Sequence, residues 1–116
     1  MSRRTSSHSS SDPKGHRAQV FAALGDATRL KLVATLSDGR PRSIIRLTSN
    51  SRLTRQAIAK HLRVLKQAGI VRSNRVGRES QFSYVPEPIK EARSYLDTVC
   101  EQWDDALSRL KSFVER

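Results

Sequence analysis

Cysteine is nearly missing from this 116-residue chain. Cys100 stands alone, which excludes an internal disulfide framework and any zinc site built on several thiolates. Aromatic residues are scarce as well, at 5% of the chain against 36% for apolar residues as a whole, so a core has to be aliphatic. No run approaches the roughly 18 apolar residues that a membrane-spanning helix needs, and the Ser-rich residues 2–11 lack the apolar stretch of a secretory signal. These absences lead to the expectation of a soluble intracellular protein with no membrane partner. A chain of 116 residues is also too short for two sizeable cores, so one domain is the starting point.

The most informative scarcity is of negative charge. Lys and Arg number 22 against 11 Asp and Glu, a net +11, which points to a polyanionic partner. Between Asp38 and Glu79 there is no acidic residue at all. Over the same stretch Arg40, Arg42, Arg46, Arg52, Arg55, Lys60, Arg63, Lys66, Arg72, Arg75 and Arg78 supply eleven positive charges. Residues 87–116 are different, with seven acids against five bases. The two parts of the chain are expected to do different work.

Hydrophobic spacing supplies the coarse structure. Residues 1–14 form a Ser-rich tail too poor in apolar residues to pack, and are expected to be disordered. Val20, Phe21 and Leu24 recur at helical spacing until Gly25. Asp26 then reads as the N-cap of a second helix carrying Ala27, Leu30, Val33, Ala34 and Leu36, which ends at Asp38-Gly39. Ser43 caps a short third helix containing Ile44 and Leu47. Thr54 caps a fourth whose apolar stripe is Ile58, Leu62 and Leu65 and whose end is marked by Gly69. Ile70–Val76 and Gln81–Val85 read as strands joined around Gly77-Arg78-Glu79, a hairpin with a basic tip. From Ile89 on, Ala92, Leu96, Val99, Trp103, Ala106, Leu110 and Phe113 follow at alternating steps of three and four, a heptad seam. Twenty-eight helical residues span about 42 Å, longer than the preceding body. The seam is therefore expected to pack on a second copy of itself or on a partner subunit's first helix. Cys100 lies beside Val99 and is expected to be an interface thiol. The fold class is mainly α with a small β-hairpin: residues 15–86 form the body and residues 87–116 a dimerisation helix.

The fourth helix breaks a local rule. Its first turn carries Arg55, although the positive end of the helix dipole favours Asp or Glu. A cation there makes sense when a phosphate occupies the same place, accepting from both the amides and the side chain. Gln56 offers a bidentate amide suited to adenine and Arg55 a fork suited to guanine; Ala59, Lys60 and Arg63 lie along the same helix. Insertion into the major groove of a DNA duplex is expected, with Arg52 and Thr54 at the helix entrance. Arg75, Gly77 and Arg78 at the hairpin tip are placed on the backbone or an adjacent minor groove. His61 reads foremost as a half-buried structural imidazole, with a phosphate contact as its DNA-binding alternative. No nucleophile, base and orienting group occur together, and there is no Gly-rich phosphate loop, so an enzyme is disfavoured.

Two blocks carry a family resemblance. Leu24-Gly25-Asp26-Ala27-Thr28-Arg29-Leu30, and the run from Leu53 to Val71 followed by Arg75-Val76-Gly77-Arg78-Glu79, resemble the ArsR/SmtB family of bacterial winged-helix repressors. The likeness extends over residues 16–114, including the Trp103-Asp104 pair and the tail from Leu107 to Lys111. It implies a winged helix-turn-helix that is a homodimer through its first helix, with Val20 and Leu24, and its last. It also implies binding of a palindromic operator and a cytoplasmic, nucleoid-associated bacterial setting. Metal-sensing relatives use paired cysteines beside the third helix or Asp, His and Glu on the last. Residues 40–53 here contain neither Cys nor His, and residues 87–116 contain no His. No family-type metal site and no cofactor are expected. Relief of repression would then come from an unidentified small-molecule effector or from nothing bound. A competing reading is an architectural DNA binder of low sequence specificity.

Overall fold

Capping side chains and glycines divide the chain into its elements. The computed structural model describes residues 13–49 and 51–115. Helix α1 runs Pro13–Leu24 and α2 Ala27–Leu36. Between them Asp26 takes an extended conformation, and its Oδ2 accepts from the Arg29 amide at 3.0 Å, satisfying one of the free donors of the first turn. A two-residue strand β1 (Arg42–Ser43) leads into α3 (Ile44–Ser49) and then α4 (Arg55–Gln67). Ser43 is buried and its Oγ accepts from the Arg46 amide at 3.2 Å; Thr54 Oγ1 accepts from the Ala57 amide at 3.1 Å. Helix α4 closes in a Schellman arrangement. Gly69, at φ 78°, donates to the Lys66 carbonyl, and Ile70 donates to that of Leu65, both at 3.0 Å.

Strands β2 (Val71–Val76) and β3 (Glu79–Tyr84) form the hairpin, and the antiparallel sheet has the order β1-β3-β2. Val76 faces Glu79 in the register, leaving Gly77 and Arg78 as the turn, with Gly77 at φ 64°. Helix α5 occupies Glu87–Val114. The core is aliphatic, as the composition requires: Leu36, Ile58, Leu62, Leu65 and Ile70 are wholly buried, and Phe82 is the one buried aromatic among the described residues.

Several expectations change. Helix α1 already includes Pro13 and Lys14, which the sequence assigned to a disordered tail; the rest of that tail, residues 1–12, lies outside the described residues. Strand β1 was not expected. It exists because Arg42 pairs with Phe82 and Ser43 with Gln81 across the sheet, a partnership that its own polar sequence does not announce. The hairpin strands begin later and earlier, respectively, than their apolar residues suggest, because Ile70 is engaged in closing α4 and because pairing continues to the turn.

In its first third the α5 seam meets the chain's own core. Val20 and Ala92 are 1% and 4% exposed in the chain's own core, and Leu24 and Ile89 pack against it, so these four hold α1 and α5 together within one subunit. Phe21 and Tyr95 add a ring contact at 6.3 Å, and the Arg17 guanidinium lies 4.0 Å from the Tyr95 ring. Beyond this contact the helix loses its cover: Leu96, Trp103, Leu110 and Phe113 are exposed, with only Val99 and Ala106 half-buried. Leu107, outside the heptad series, is exposed beside them. Cys100 is exposed as well.

The entrance to β1 is pinned by a bidentate pair. Arg42 donates to both Asp38 carboxylate oxygens, at 2.7 and 3.0 Å, and to the Thr35 carbonyl at 2.8 Å. The Arg42 hydrogen bonds, followed by that from the Arg40 amide, hold the Asp38 carboxyl well below the ordinary carboxylate range. A folded-state pKa below the unfolded value adds stability that is complete above the unfolded pKa, near 4 for Asp, and is lost as pH falls from there toward the folded value. Asp38→Asn should therefore lower the urea midpoint at neutral pH and flatten its decline below about pH 4. Parallel wild-type and variant profiles would remove the pair from the pH dependence.

Candidate nucleic-acid interface

Helix α4 exposes its cations on the side away from the Ile58, Leu62 and Leu65 stripe. Arg55, Gln56, Lys60 and Arg63 are all exposed, and Ala59 is half-buried between them. The hairpin exposes Arg72, Arg75, Gly77 and Arg78. None of these cations has a carboxylate partner among the described residues, where Arg42 pairs with Asp38 and the remaining close approach to a carboxylate is that of His61 to Asp26. Unpaired guanidinium groups beside the positive end of a helix repel both that end and one another, so the arrangement is one that an anion relieves.

The start of α4 and the hairpin meet in one open groove of about 620 Å³. Arg55, Gln56 and Ala59 line it from α4, Arg78, Glu79 and Ser80 from the hairpin, and Ser43, Ile44 and Ile45 from β1 and the start of α3. Four of the residues singled out from the sequence are thus brought together: Arg55, Gln56, Ala59 and Arg78. Of the five other lining residues, two bear on recognition. Ile45 is 55% exposed, and Glu79 places a carboxylate in an otherwise cationic wall, suited to accept from a cytosine amine. Glu79 carried a visible signal, being the acid that ends the acid-free run; Ile45 carried only an apolar residue beside the Ile44 core position.

Other expected site residues lie elsewhere. Thr54 is exposed but its hydroxyl serves the helix cap. Arg52 lines a separate cleft against α2. Lys60, Arg63 and Arg75 are exposed but do not line the groove.

His61 is half-buried and faces the α1–α2 junction. Its Nδ1 lies 3.2 Å from Arg29 Nη1 and 3.7 Å from Asp26 Oδ2. Arg29 can only donate, so in the neutral ring Nδ1 accepts and the proton sits on Nε2. Arg29 also donates from Nε to the Ala23 carbonyl at 2.6 Å, at the end of α1, and from Nη2 at 3.4 Å to that of Ala22, which already accepts from the Gly25 amide at 3.1 Å. Asp26 is held below its ordinary carboxylate pKa, chiefly by the Arg29 amide and then by the charges of His61 and Arg29. The Gly25-to-Arg29 segment thus has a structural role, fastening α1, α2 and α4 to one another and fixing the bearing of α4. Among the described residues no His, Cys, Asp and Glu come together in a metal-holding group, and no helix is long and apolar enough to cross a membrane.

Comparison with known proteins agrees with this architecture. Residues 26–73 match the family described as bacterial regulatory protein, arsR family. An uncharacterized HTH-type transcriptional regulator, YuzN, of Bacillus subtilis (strain 168) is 39% identical over 82 residues, covering 66% of this chain and 89% of that protein. The solved structure of an ArsR-like transcriptional regulator from Rhodococcus sp. RHA1 is similar, with a TM-score of 0.75 and 34% identity over 86% of this chain and 93% of the other. A homodimeric winged helix-turn-helix DNA-binding domain from Mycobacterium bovis shares the fold, with a TM-score of 0.63 at 19% identity, over 88% and 93% of the two chains. With its helix-turn-helix of α3 and α4 and its hairpin wing, the chain belongs to the arsR family of bacterial regulatory proteins and is a DNA-binding transcriptional regulator.

Proposed function

We propose that the chain is a homodimeric repressor that reads a palindromic operator, with α4 in the major groove and the hairpin on the flanking backbone. The observation that carries this reading is the shared groove, in which Arg55 and Gln56 stand beside Arg78 with no carboxylate paired to any of the cations. In this arrangement Arg55 and Gln56 read base edges, Lys60 and Arg63 follow the phosphates along the groove, and Arg75 and Arg78 hold the wing to the backbone. Residues 87–116 serve as the dimerisation helix. The uncovered stretch from Leu96 to Phe113 supports this role, since Trp103 is 64% and Phe113 70% exposed and contiguous apolar surface of this kind marks an interaction face. A two-fold pairing would bury the same surface on both copies, and the relative from Mycobacterium bovis is itself described as homodimeric.

A mobility-shift titration tests the reading, with fragments selected from genomic DNA as the operator and random duplex as competitor. A sequence-specific regulator holds its operator against at least about a thousandfold weaker competition. A ratio near one would instead make the chain an architectural binder. Expression from a reporter downstream of the selected site then separates repression from activation. Arg78→Ala should weaken binding to every duplex alike and reduce the salt dependence of log K by about 0.9. An unchanged slope would take the wing off the DNA.

A further inference from the structure

A second cleft, of about 600 Å³, opens between α2, α3 and the turn that follows α3, and it shares no lining residue with the groove of α4 and the hairpin. Its rim carries Lys31, Arg42, Arg46 and Arg52, and no carboxylate lines it. Leu32, Leu47 and Ile58, all buried, form an apolar floor, and Leu53 with the hydroxyl residues Thr28, Thr35 and Ser51 completes the wall. The volume falls within the range of small-molecule sites, which combine an apolar lining with a few convergent polar groups.

The four cations are not equivalent. Arg42 is held in place by Asp38 and the Thr35 carbonyl. Lys31, Arg46 and Arg52 have no carboxylate partner among the described residues. Three uncompensated charges from α2, α3 and the turn converge on one concavity, an arrangement whose mutual repulsion a multiply charged anion would remove. Guanidinium forks flanking an ammonium suit phosphate oxygens, and the apolar floor suits an organic body attached to them.

We infer that this cleft is a binding site for a small phosphorylated molecule, which would bridge α2 to the turn preceding α4. The inference does not depend on the chain being a repressor, because the ligand binds to protein without DNA. A duplex backbone offers the same phosphate chemistry, and the experiment separates the two sources.

The test is calorimetric titration of the full chain, free of DNA, with sodium tripolyphosphate at fixed ionic strength. Saturable binding of tripolyphosphate is expected, its tightest site weakened tenfold or more in Lys31→Gln combined with Arg46→Gln and unchanged in Arg93→Gln, which lies on α5 outside both clefts. Lys31 and Arg46 are both exposed, and thermal melting of the double variant verifies that it is folded. Heat that never saturates, or wild-type affinity in the double variant, would overturn the assignment. So would a double variant that loses affinity for duplex while binding tripolyphosphate normally, since the cleft would then belong to the DNA backbone.

Discussion

Trp103→Glu combined with Leu110→Glu should yield a folded monomer whose affinity for a two-half-site operator is about 10²-fold to 10⁴-fold below that of the wild type. The size of the loss comes from geometry, since both residues lie on α5 and neither lines the groove of α4 and the hairpin. Half-sites in a palindrome lie about 34–36 Å apart, and a linked pair of binding bodies makes the second engagement intramolecular. Separate subunits have to meet each half-site from bulk solution. Folding should be spared, because both residues lie beyond the part of α5 that packs on α1; Trp103 and Leu110 are 64% and 57% exposed. Sedimentation velocity gives the oligomeric state, and the same preparation titrated with operator and with a single half-site gives the affinities. Single half-site binding should change little. A variant that sediments as a monomer yet holds the full operator with wild-type affinity would remove the dimer from recognition.

That choice of residues was only partly visible in the sequence. The heptad spacing located the α5 seam, but periodicity says that a face is apolar and not which surface covers it. Ala92 and Ile89 turned out to be covered by the same chain, with Val20 and Leu24 from α1, because the seam passes over the body before it runs clear. Helix α4 was legible at both ends, since Thr54 and Gly69 act through local chemistry. Strand β1 was not, because two polar residues become a strand only when Phe82 and Gln81 arrive from the far side of the domain. His61 follows Lys60 on the edge of the Ile58, Leu62 and Leu65 stripe, so spacing left it between core and surface; the position of Arg29 decides the matter. The groove was half legible. Arg55 was marked by its conflict with the helix dipole, whereas the approach of Glu79 and Ile45 depends on how the hairpin folds over the start of α3.

The conflict at Arg55 leads to the sharpest expectation about base recognition. Arg55→Ala and Gln56→Ala should each weaken operator binding by about 1–3 kcal/mol and relax the preference at one base pair. Both side chains are exposed in the first turn of α4, so their removal should not lower the thermal midpoint. Removing Arg55 also removes its repulsion with the helix end, which favours the free protein and makes any measured loss an upper bound on the contact itself. The two residues are neighbours and share a groove, so the double variant need not equal the sum of the singles. The decisive readout is the pattern across operators carrying each base at each position. A loss confined to the native base pair means that the side chain reads it, whereas an equal loss on every duplex means that Arg55 and Gln56 hold only phosphate. In that second outcome, selectivity would have to come from DNA shape or from residues such as Glu79 that share the groove.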